Sequence, residues 1–301
     1  MDTQQLRQFL EVARVGNITR AAASLAVSQP TLSRSIQRLE ADFGRPLLER
    51  TGRAIALTDA GELLRDRAER VLAILDDTRA ELTDDGRSGR VRIGAIPTIA
   101  PYLLPGFLRS FRTEFPEAQV VVQEETTDRL VERCQRSEID VAVLALPIEA
   151  KHLETAPLLR EELYLATPPN HALASQQRVT LEDVQPHPFV LLGEAHCLAE
   201  SVMAFCRQRS HQPIAVERTS QLATVLELVA LGHGVSMIPA MARQRDTSGA
   251  VAYRSLDGDR PHRDIAMAWD PYRFESRLVA ALKDRLVRFA RESCGSAPVN
   301  D

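Results

Sequence analysis

The sequence predicts an α/β protein in which an N-terminal helix-turn-helix is joined by one long helix to a larger α/β region. Two short helical patterns separated by a turn cover residues 19–40, and an unbroken helical pattern follows at 59–84. Strand and helix patterns alternate from residue 89 onwards, which is typical of α/β domains. The predicted boundaries are therefore 1–58, 59–88 and 89–301.

The two helices of the helix-turn-helix have distinct local signals. Small residues at 21–23 allow close helix packing, and Ala26 and Val27 carry the turn. Ser28 is a suitable N-cap, and Pro30 falls in the first turn, where its missing N–H has no cost. Apolar residues at helical spacing should face inward in the second helix; they are Leu32, Ile36 and Leu39.

The outward face of that second helix is polar and is typical of a DNA recognition helix. Its members can reach base edges and phosphates; they are Gln29, Thr31, Ser33, Arg34, Gln37 and Arg38. A Gly44–Pro46 break and a strand through Ile55 and Leu57 then predict a β-wing. The wing carries Arg50 and Arg53, which suit the DNA backbone or minor groove. An ordinary surface helical hairpin is the alternative.

The strings SQPTLSRSIQRLE and LLER resemble the N-terminal domain of LysR-type transcriptional regulators. The resemblance implies that the partner is double-stranded promoter DNA and that RNA polymerase is a further partner. The DNA-contacting residues it implies are Gln29, Pro30, Thr31, Ser33, Arg34, Arg38, Arg50 and Arg53.

Charge and composition agree with a modular regulator. Eight arginines and five acidic residues give residues 1–58 a net charge of +3, whereas the whole chain carries −4, which leaves −7 for the remainder. Basic charge is thus local to the proposed DNA reader. The chain has no 18-residue apolar run and no basic, apolar leader, so we expect a cytoplasmic protein with no membrane partner.

The long helix carries an apolar stripe that steps by four and three residues. Its members are Leu64, Ala68, Val71, Leu75, Thr78 and Leu82. Such a stripe predicts a dimerisation helix, and helix-turn-helix proteins usually bind two half-sites as dimers. The alternative is a helix packed on its own effector domain. LysR relatives commonly form tetramers, so the resemblance also implies self-association.

The alternating strands and helices beyond residue 89 predict a mostly parallel sheet with ligand chemistry at the strand ends. Predicted strands include residues 91–95, 120–123, 141–146, 163–166, 189–192, 215–217 and 265–269. This region resembles the two-lobed, periplasmic-binding-protein-like effector domain of the LysR family. Lobe I would comprise about 89–162 and 268–301, and lobe II about 163–267.

Four cysteines are present, and Cys197 stands out among them because it follows a strand at the predicted start of a helix over 198–208. The positive end of a helix dipole favours a thiolate, which peroxide attack requires. His196 is adjacent and could donate a hydrogen bond or a charge. Cys206 would resolve the resulting sulfenic acid as a disulfide. Cys134 and Cys294 lack such a setting, and the alternative for any buried cysteine is a small apolar side chain.

The spacing of the pair predicts a switch. Nine residues of helix span about 13.5 Å, whereas a disulfide requires Cα atoms within about 7 Å. Oxidation would therefore require the helix to unwind, which couples the chemistry to a local refolding.

The segments IPTIAPYLLP, HCL and GHGVSMIPA resemble peroxide-sensing members of the LysR family. That resemblance implies that Cys197 is the peroxidatic and Cys206 the resolving cysteine. It also implies a peroxide pocket formed by Thr98, Thr127, His196 and Arg263. Ala195 and Glu200 depart from the family pattern, in which glycine and aspartate are usual at these positions.

Rival functions remain open at this stage. One is a LysR regulator that responds to a metabolite between its lobes, with incidental cysteines. Another is a thiol peroxidase, although an enzyme does not need a helix-turn-helix or a dimerisation stripe. A zinc site formed by His196, Cys197, Cys206 and His211 lacks the usual close C-x-x-C pair. We therefore predict no enzyme activity, no cofactor and no metal.

Overall fold

The computed structural model describes residues 1–51, 54–83, 85–193, 197–207, 214–219, 221–258 and 260–294. The chain divides into two units, Met1–Thr83 and Asp84–Asp301. Among the residues described, no helix is long and apolar enough to cross a membrane.

Helices and one β-hairpin form the first unit. In chain order they are α1 (Thr3–Val15), α2 (Ile18–Ser24), α3 (Gln29–Phe43), β1 (Leu48–Thr51), β2 (Ala54–Leu57) and α4 (Asp59–Thr83). α1 begins with a capping box in which Asp2 and Gln5 each accept the other's backbone N–H at 2.8 Å. Ser28 caps α3 by accepting the Thr31 N–H at 3.3 Å, as predicted.

The core of the first unit confirms the predicted inward residues of α3. Leu32, Ile36 and Leu39 are all buried, together with Phe9 of α1. Ala21 is buried as well, so α2 packs closely on its neighbours as its small residues predict. This packing leaves the polar face of α3 directed outward.

The residues of the predicted dimerisation stripe on α4 lie in two environments. Ala68 is buried in the core of the first unit, and Leu64 packs partly against the same core. Val71, Leu75 and Leu82 are instead exposed by 45%, 38% and 81%. The predicted heptad stripe therefore includes residues that are buried in the first unit and residues that are exposed in that unit.

The exposed side of α4 also includes residues outside the predicted stripe. Ile74 and Leu63 lie outside the predicted stripe, yet both are exposed apolar side chains. Thr78 is exposed, and its hydroxyl donates back to the Ile74 carbonyl at 2.8 Å. The exposed apolar face of α4 within this unit thus comprises Leu63, Val71, Ile74, Leu75 and Leu82.

The second unit contains a large mixed sheet, a small two-stranded sheet and surrounding helices. Its elements are β3 (Gly89–Ala95), α5 (Ala100–Glu114), β4 (Ala118–Glu124), α6 (Thr127–Gln135), β5 (Val141–Ala145), β6 (Glu154–Thr167), α7 (Ala172–Ser175), α8 (Leu181–Val184), β7 (Pro188–Leu192), α9 (Cys197–Arg207), β8 (Ile214–Thr219), α10 (Leu222–Ala230), β9 (Ser236–Pro239), α11 (Ala240–Arg245), β10 (Ala252–Arg254), β11 (His262–Trp269) and α12 (Arg277–Cys294). Each strand predicted from the sequence overlaps an observed strand.

The prediction of a mostly parallel sheet is wrong. The large sheet has the order β10-β6-β11-β5-β3-β4, and β9 also pairs with β6. β3 runs parallel to β4 and β5. β11 is antiparallel to β5 and β6, and β6 is antiparallel to β9 and β10. Long strands that return alongside each other therefore make the sheet mixed.

Two hydrophobic cores occupy the second unit. The lobe I core surrounds β3, β5, α5 and α12, and the lobe II core surrounds β7, α9 and α10. β6 contributes to both, with Leu159 in the first core and Leu163 in the second. Ile265 and Met267 pack in the lobe I core, so β11 returns to lobe I earlier than the predicted boundary at 268.

Candidate functional site

The outward face of α3 presents the side chains that the sequence assigns to DNA. The exposed members are Gln29, Pro30, Thr31, Arg34 and Arg38, and Ser33 is partly exposed. Gln29 Nε2 donates to Ser33 Oγ at 3.1 Å, and the hydroxyl oxygens of Ser28 and Thr31 lie 2.7 Å apart. These bonds order the beginning of α3, the part of a recognition helix that meets the bases.

The hairpin after α3 matches the predicted wing. β1 and β2 pair antiparallel, from Leu48 opposite Leu57 to Thr51 opposite Ala54. Arg50 lies in β1 in register with Ile55. Arg53 lies outside the described residues.

The two candidate redox cysteines lie on one helix, as predicted. Cys197 is the first residue of α9 and Cys206 is the tenth, and neither forms a disulfide within the described part of the chain. Cys197 is partly exposed and packs against the lobe I core. Cys206 is only 2% exposed and belongs to the lobe II core. The helix therefore places the two sulfurs against different cores.

Helical geometry separates the pair by about 13.5 Å along the axis. A disulfide cannot form over that distance, because it requires Cα atoms within about 7 Å. The carbonyl of Cys197 accepts a hydrogen bond from the Ser201 hydroxyl at 2.9 Å, within the first turn of α9. In the fold described here the two cysteines are therefore too far apart to form a disulfide.

Of the residues next to Cys197 in the sequence, only those on its C-terminal side are described. Glu200, one of the departures from the family pattern, lies exposed in the first turn of α9. Ala195 and His196 lie outside the described residues.

Cys134 differs chemically from the pair. It is buried in the lobe I core, and burial raises the pKa of its thiol to about 12. A thiol in such a setting stays protonated at neutral pH and is a poor nucleophile. The side chain of Cys294 is not among those described.

A buried polar cluster forms where β11, β6 and the segment after β3 meet. Arg263 donates from Nε to Glu161 at 2.8 Å, from Nη1 to the Thr98 hydroxyl at 2.7 Å, and from Nη2 to the Thr98 carbonyl at 3.0 Å. The ion pair is almost completely buried, with side-chain exposures of 0% and 2%. Two of the four predicted pocket residues, Thr98 and Arg263, are therefore in direct contact.

Sequence reasoning missed Glu161, which orients this cluster. Its Oε1 also accepts the Met241 N–H at 2.6 Å, so it joins β6 to the start of α11 as well as to Arg263. A signal was present in the sequence, because Glu161 alternates in phase with Leu159, Leu163 and Leu165. All three leucines are buried, so the same face of β6 carries the carboxylate inward.

Thr127 lies apart from this cluster in the described contacts. It is the first residue of α6, and its buried hydroxyl has no hydrogen-bond partner among the described residues. The buried Oε1 of Gln123, at the end of β4, is likewise unpartnered in the described part of the chain. A buried polar atom without a partner is costly, so both atoms are candidates for contact with a small polar ligand or water.

The described residues contain no cluster of three or more His, Cys, Asp or Glu side chains able to hold a metal. His196 and His211 of the weighed zinc set lie outside those residues. A helical spacing of about 13.5 Å between the two cysteines also prevents both from ligating one zinc ion at about 2.3 Å.

Two family descriptions match this arrangement. Residues 3–62 match bacterial regulatory helix-turn-helix proteins of the lysR family, and residues 84–291 match the LysR substrate binding domain. The chain belongs to the LysR family. This LysR protein is accordingly a DNA-binding regulator whose DNA-binding domain is the first unit.

Relatives of this LysR protein include peroxide-responsive regulators. It is 34% identical over 275 residues to the hydrogen peroxide-inducible genes activator of Pectobacterium carotovorum subsp. carotovorum, covering 90% of this chain and 91% of that protein. A variant of full-length OxyR from Pseudomonas aeruginosa matches with a TM-score of 0.77 and 28% identity, over 98% of this chain and 96% of that one. CbnR in complex with its target DNA matches with a TM-score of 0.74 and 27% identity, over 98% and 100%.

Proposed function

We propose that this LysR protein regulates transcription in response to hydrogen peroxide through a reversible disulfide between Cys197 and Cys206. The observation that carries the proposal is their placement on α9, with one thiol at the helix start and the other buried in the lobe II core. The similarity to a hydrogen peroxide-inducible genes activator supports the same signal.

The chemistry has two balanced steps. The Cys197 thiolate attacks one oxygen of hydrogen peroxide, so an S–O bond forms, the O–O bond breaks, and hydroxide leaves and takes up a proton to become water. The sulfur is thereby oxidised to a sulfenic acid and the peroxide is reduced. The Cys206 sulfur then attacks the sulfenic sulfur, an S–S bond replaces the S–O bond, and a second water leaves.

The second step changes the fold of lobe II. Cys206 must leave the lobe II core and α9 must unwind before the sulfurs can meet. The buried apolar surface around α9 is then rearranged, and this rearrangement is the signal passed to the DNA-binding unit. A cellular thiol reductant reverses the bond and allows α9 to reform.

The proposed peroxide pocket comprises Thr98, Thr127, His196 and Arg263. The described hydrogen bonds of Arg263 use one N–H on each guanidinium nitrogen, so one N–H on each Nη remains for a peroxide oxygen. Glu161 holds the guanidinium in place from the opposite side. The Thr127 hydroxyl is a second donor or acceptor with no described partner.

DNA reading in this proposal uses α3 and the wing. The side chains assigned to bases and phosphates are Gln29, Pro30, Thr31, Ser33, Arg34, Arg38, Arg50 and Arg53. The exposed apolar face of α4 is assigned to self-association, which places two recognition helices on two half-sites. RNA polymerase is the further partner, and the cytoplasm is the compartment in which all of these meet.

Quantitative footprinting of the full chain under reducing and peroxide-treated conditions tests the proposal. The duplex is one that the wild-type chain selects from a random pool. We expect peroxide to change the wild-type footprint reversibly, to do the same for Cys134→Ala, and to leave Cys197→Ser unchanged. An unchanged wild-type footprint, or a Cys197→Ser footprint that still responds, would contradict the proposal.

A second candidate is a LysR regulator that responds to a small polar metabolite. The unpartnered buried atoms of Gln123 and Thr127 favour it, because they offer polar contacts at the ends of β4 and the start of α6. In that case Cys197→Ser would retain its response to the metabolite. Neither the wild-type chain nor Cys197→Ser would respond to peroxide. A thiol peroxidase is disfavoured, since the chain belongs to a family of DNA-binding regulators.

A further inference from the structure

One carboxylate joins the recognition helix to the wing. Glu40 lies in the last turn of α3, and its Oε1 accepts the backbone N–H groups of Leu47 at 2.8 Å and Leu48 at 3.2 Å. Leu47 is buried in the core of the first unit, and Leu48 is the first residue of β1. A single oxygen of α3 therefore fixes where the wing begins.

The same short segment is also held from the start of α4. Thr58 donates from its hydroxyl to the Pro46 carbonyl at 2.8 Å and from its N–H to the Leu47 carbonyl at 3.1 Å. Gly61 approaches so closely that a Cβ there would lie 2.1 Å from the Leu47 carbonyl oxygen. Glu40 thus binds the N–H groups of this segment, while Thr58, the residue before α4, binds its carbonyls.

The charge of Glu40 does not favour DNA binding directly. A negative charge beside a duplex repels phosphates and lowers affinity, so a surface built only for electrostatic attraction would exclude it. Its carboxylate is instead partly buried and makes two charge-assisted hydrogen bonds, which are stronger than bonds to a neutral acceptor. The acidic residue at position 40 is therefore explained by its role in orienting the wing through the Leu47 and Leu48 N–H groups.

We propose that Glu40 is a positioning residue for DNA reading. By holding the Leu47 and Leu48 amides, it sets β1 at the position relative to α3 from which the wing and the recognition helix contact one duplex together. Glu40 acts through the wing and does not itself touch DNA. This inference rests on the assignment of DNA reading to α3 and the wing.

Hydroxyl-radical footprinting of the full chain on its selected duplex tests this role, with hydrogen exchange of the Leu47 and Leu48 amides as a second readout. Glu40→Ala should weaken binding by about tenfold, lose protection at the flanking positions contacted by the wing, and retain central protection from α3. Glu40→Gln keeps an acceptor oxygen and should restore most flanking protection. Asp42→Asn removes one negative charge from the same turn and is the matched control.

The outcomes separate this inference from the DNA-reading assignment. Faster exchange at Leu47 and Leu48 with selective loss of flanking protection in Glu40→Ala supports it. A uniform loss of protection, no loss, or an equal effect of Asp42→Asn overturns it. If the wild-type chain itself shows no flanking protection, the wing's part in DNA reading is wrong as well. Should Glu40→Ala fail to fold, Glu40→Gln decides: its uncharged, weaker acceptor should speed exchange at Leu47 and Leu48 and slightly lower flanking protection, and faster exchange with unchanged flanking protection would overturn the proposal.

Discussion

Cys197 and Cys206 are separated by nine residues on one helix and pack against different hydrophobic cores. Cys197 packs against lobe I at the helix start, whereas Cys206 is buried in lobe II near the helix end. A covalent bond between them is incompatible with this packing, so a disulfide could form only if α9 changed its fold.

The first prediction concerns the intermediate. In Cys206→Ser, the sulfenic acid formed at Cys197 has no resolving thiol, so it should persist and give a dimedone adduct detectable by mass spectrometry. Cys134→Ser serves as the control and should form the disulfide as the wild type does, because Cys134 is buried in the lobe I core. An adduct equally abundant in the wild type and Cys206→Ser would argue against Cys206 as the resolving residue.

The second prediction concerns the buried ion pair of Arg263 and Glu161. Glu161→Gln leaves a fully buried guanidinium without its counter-charge and should lower the free energy of unfolding by about 3 kcal/mol. Asp264→Asn breaks the neighbouring Arg160–Asp264 pair, which is largely exposed, and should cost less than about 1 kcal/mol. Urea unfolding of the full chain measures both, and equal losses would show that burial does not control the effect.

The third prediction concerns the turn of the helix-turn-helix. Ala26 adopts a left-handed conformation with φ of 53°, which is strained for any residue with a Cβ. Ala26→Gly should therefore stabilise the first unit by about 0.5 kcal/mol after the entropy lost from the unfolded chain is counted. Ala23→Gly makes the same change inside α2 and should destabilise it by about 1 kcal/mol. Amide hydrogen exchange in α2 and α3 measures both changes in stability. Slower exchange in both variants, or faster exchange in both, would contradict the prediction.

The fourth prediction concerns pH. Hydrogen bonds from Arg14 and then Ser24 lower the pKa of Glu11 from its ordinary value of 4.5 to about 2. A lowered carboxyl pKa stabilises the fold above pH 4.5, and this stabilisation is lost as the pH falls from 4.5 towards 2. Glu11→Gln should flatten the pH dependence of α1 hydrogen exchange over that range, and Ser24→Ala should flatten it in part. If the pH dependence of α1 hydrogen exchange were the same in Glu11→Gln as in the wild type, ionisation of Glu11 would not be its cause.

The fifth prediction concerns self-association through α4. Val71→Asp places a charge on the exposed apolar face and should dissociate the oligomer while leaving the fold intact, as measured by sedimentation velocity and circular dichroism. Ala68→Asp instead buries a charge in the core of the first unit and should unfold that unit. Unchanged sedimentation of Val71→Asp would place the interface elsewhere.

Local signals made much of this structure predictable. Ser28 capped α3 because a hydroxyl before a helix satisfies a free N–H, and Leu32, Ile36 and Leu39 turned inward because helical spacing places them on one face. The start of α9 was predicted to within one residue, at 198 against Cys197.

Long-range relations were not predictable in the same way. The alternation of strands and helices could not show that β11 runs antiparallel to β5 and β6, because strand direction depends on connections between distant segments. The stripe on α4 could not show which residues face the helix's own domain, so Ala68 was misassigned. Glu161 was missed because its charge masked the apolar alternation of β6, although its partner Arg263 was found.

Disulfide mapping of the full chain after treatment with near-stoichiometric hydrogen peroxide shows whether Cys197 and Cys206 form a redox pair. Free thiols are trapped at timed intervals, and the peptides are identified by mass spectrometry. We expect a fast Cys197–Cys206 bond that a thiol reductant reverses and that is absent in Cys197→Ser. Two thiols that remain free, or a bond that forms only under gross excess of peroxide, would contradict this expectation.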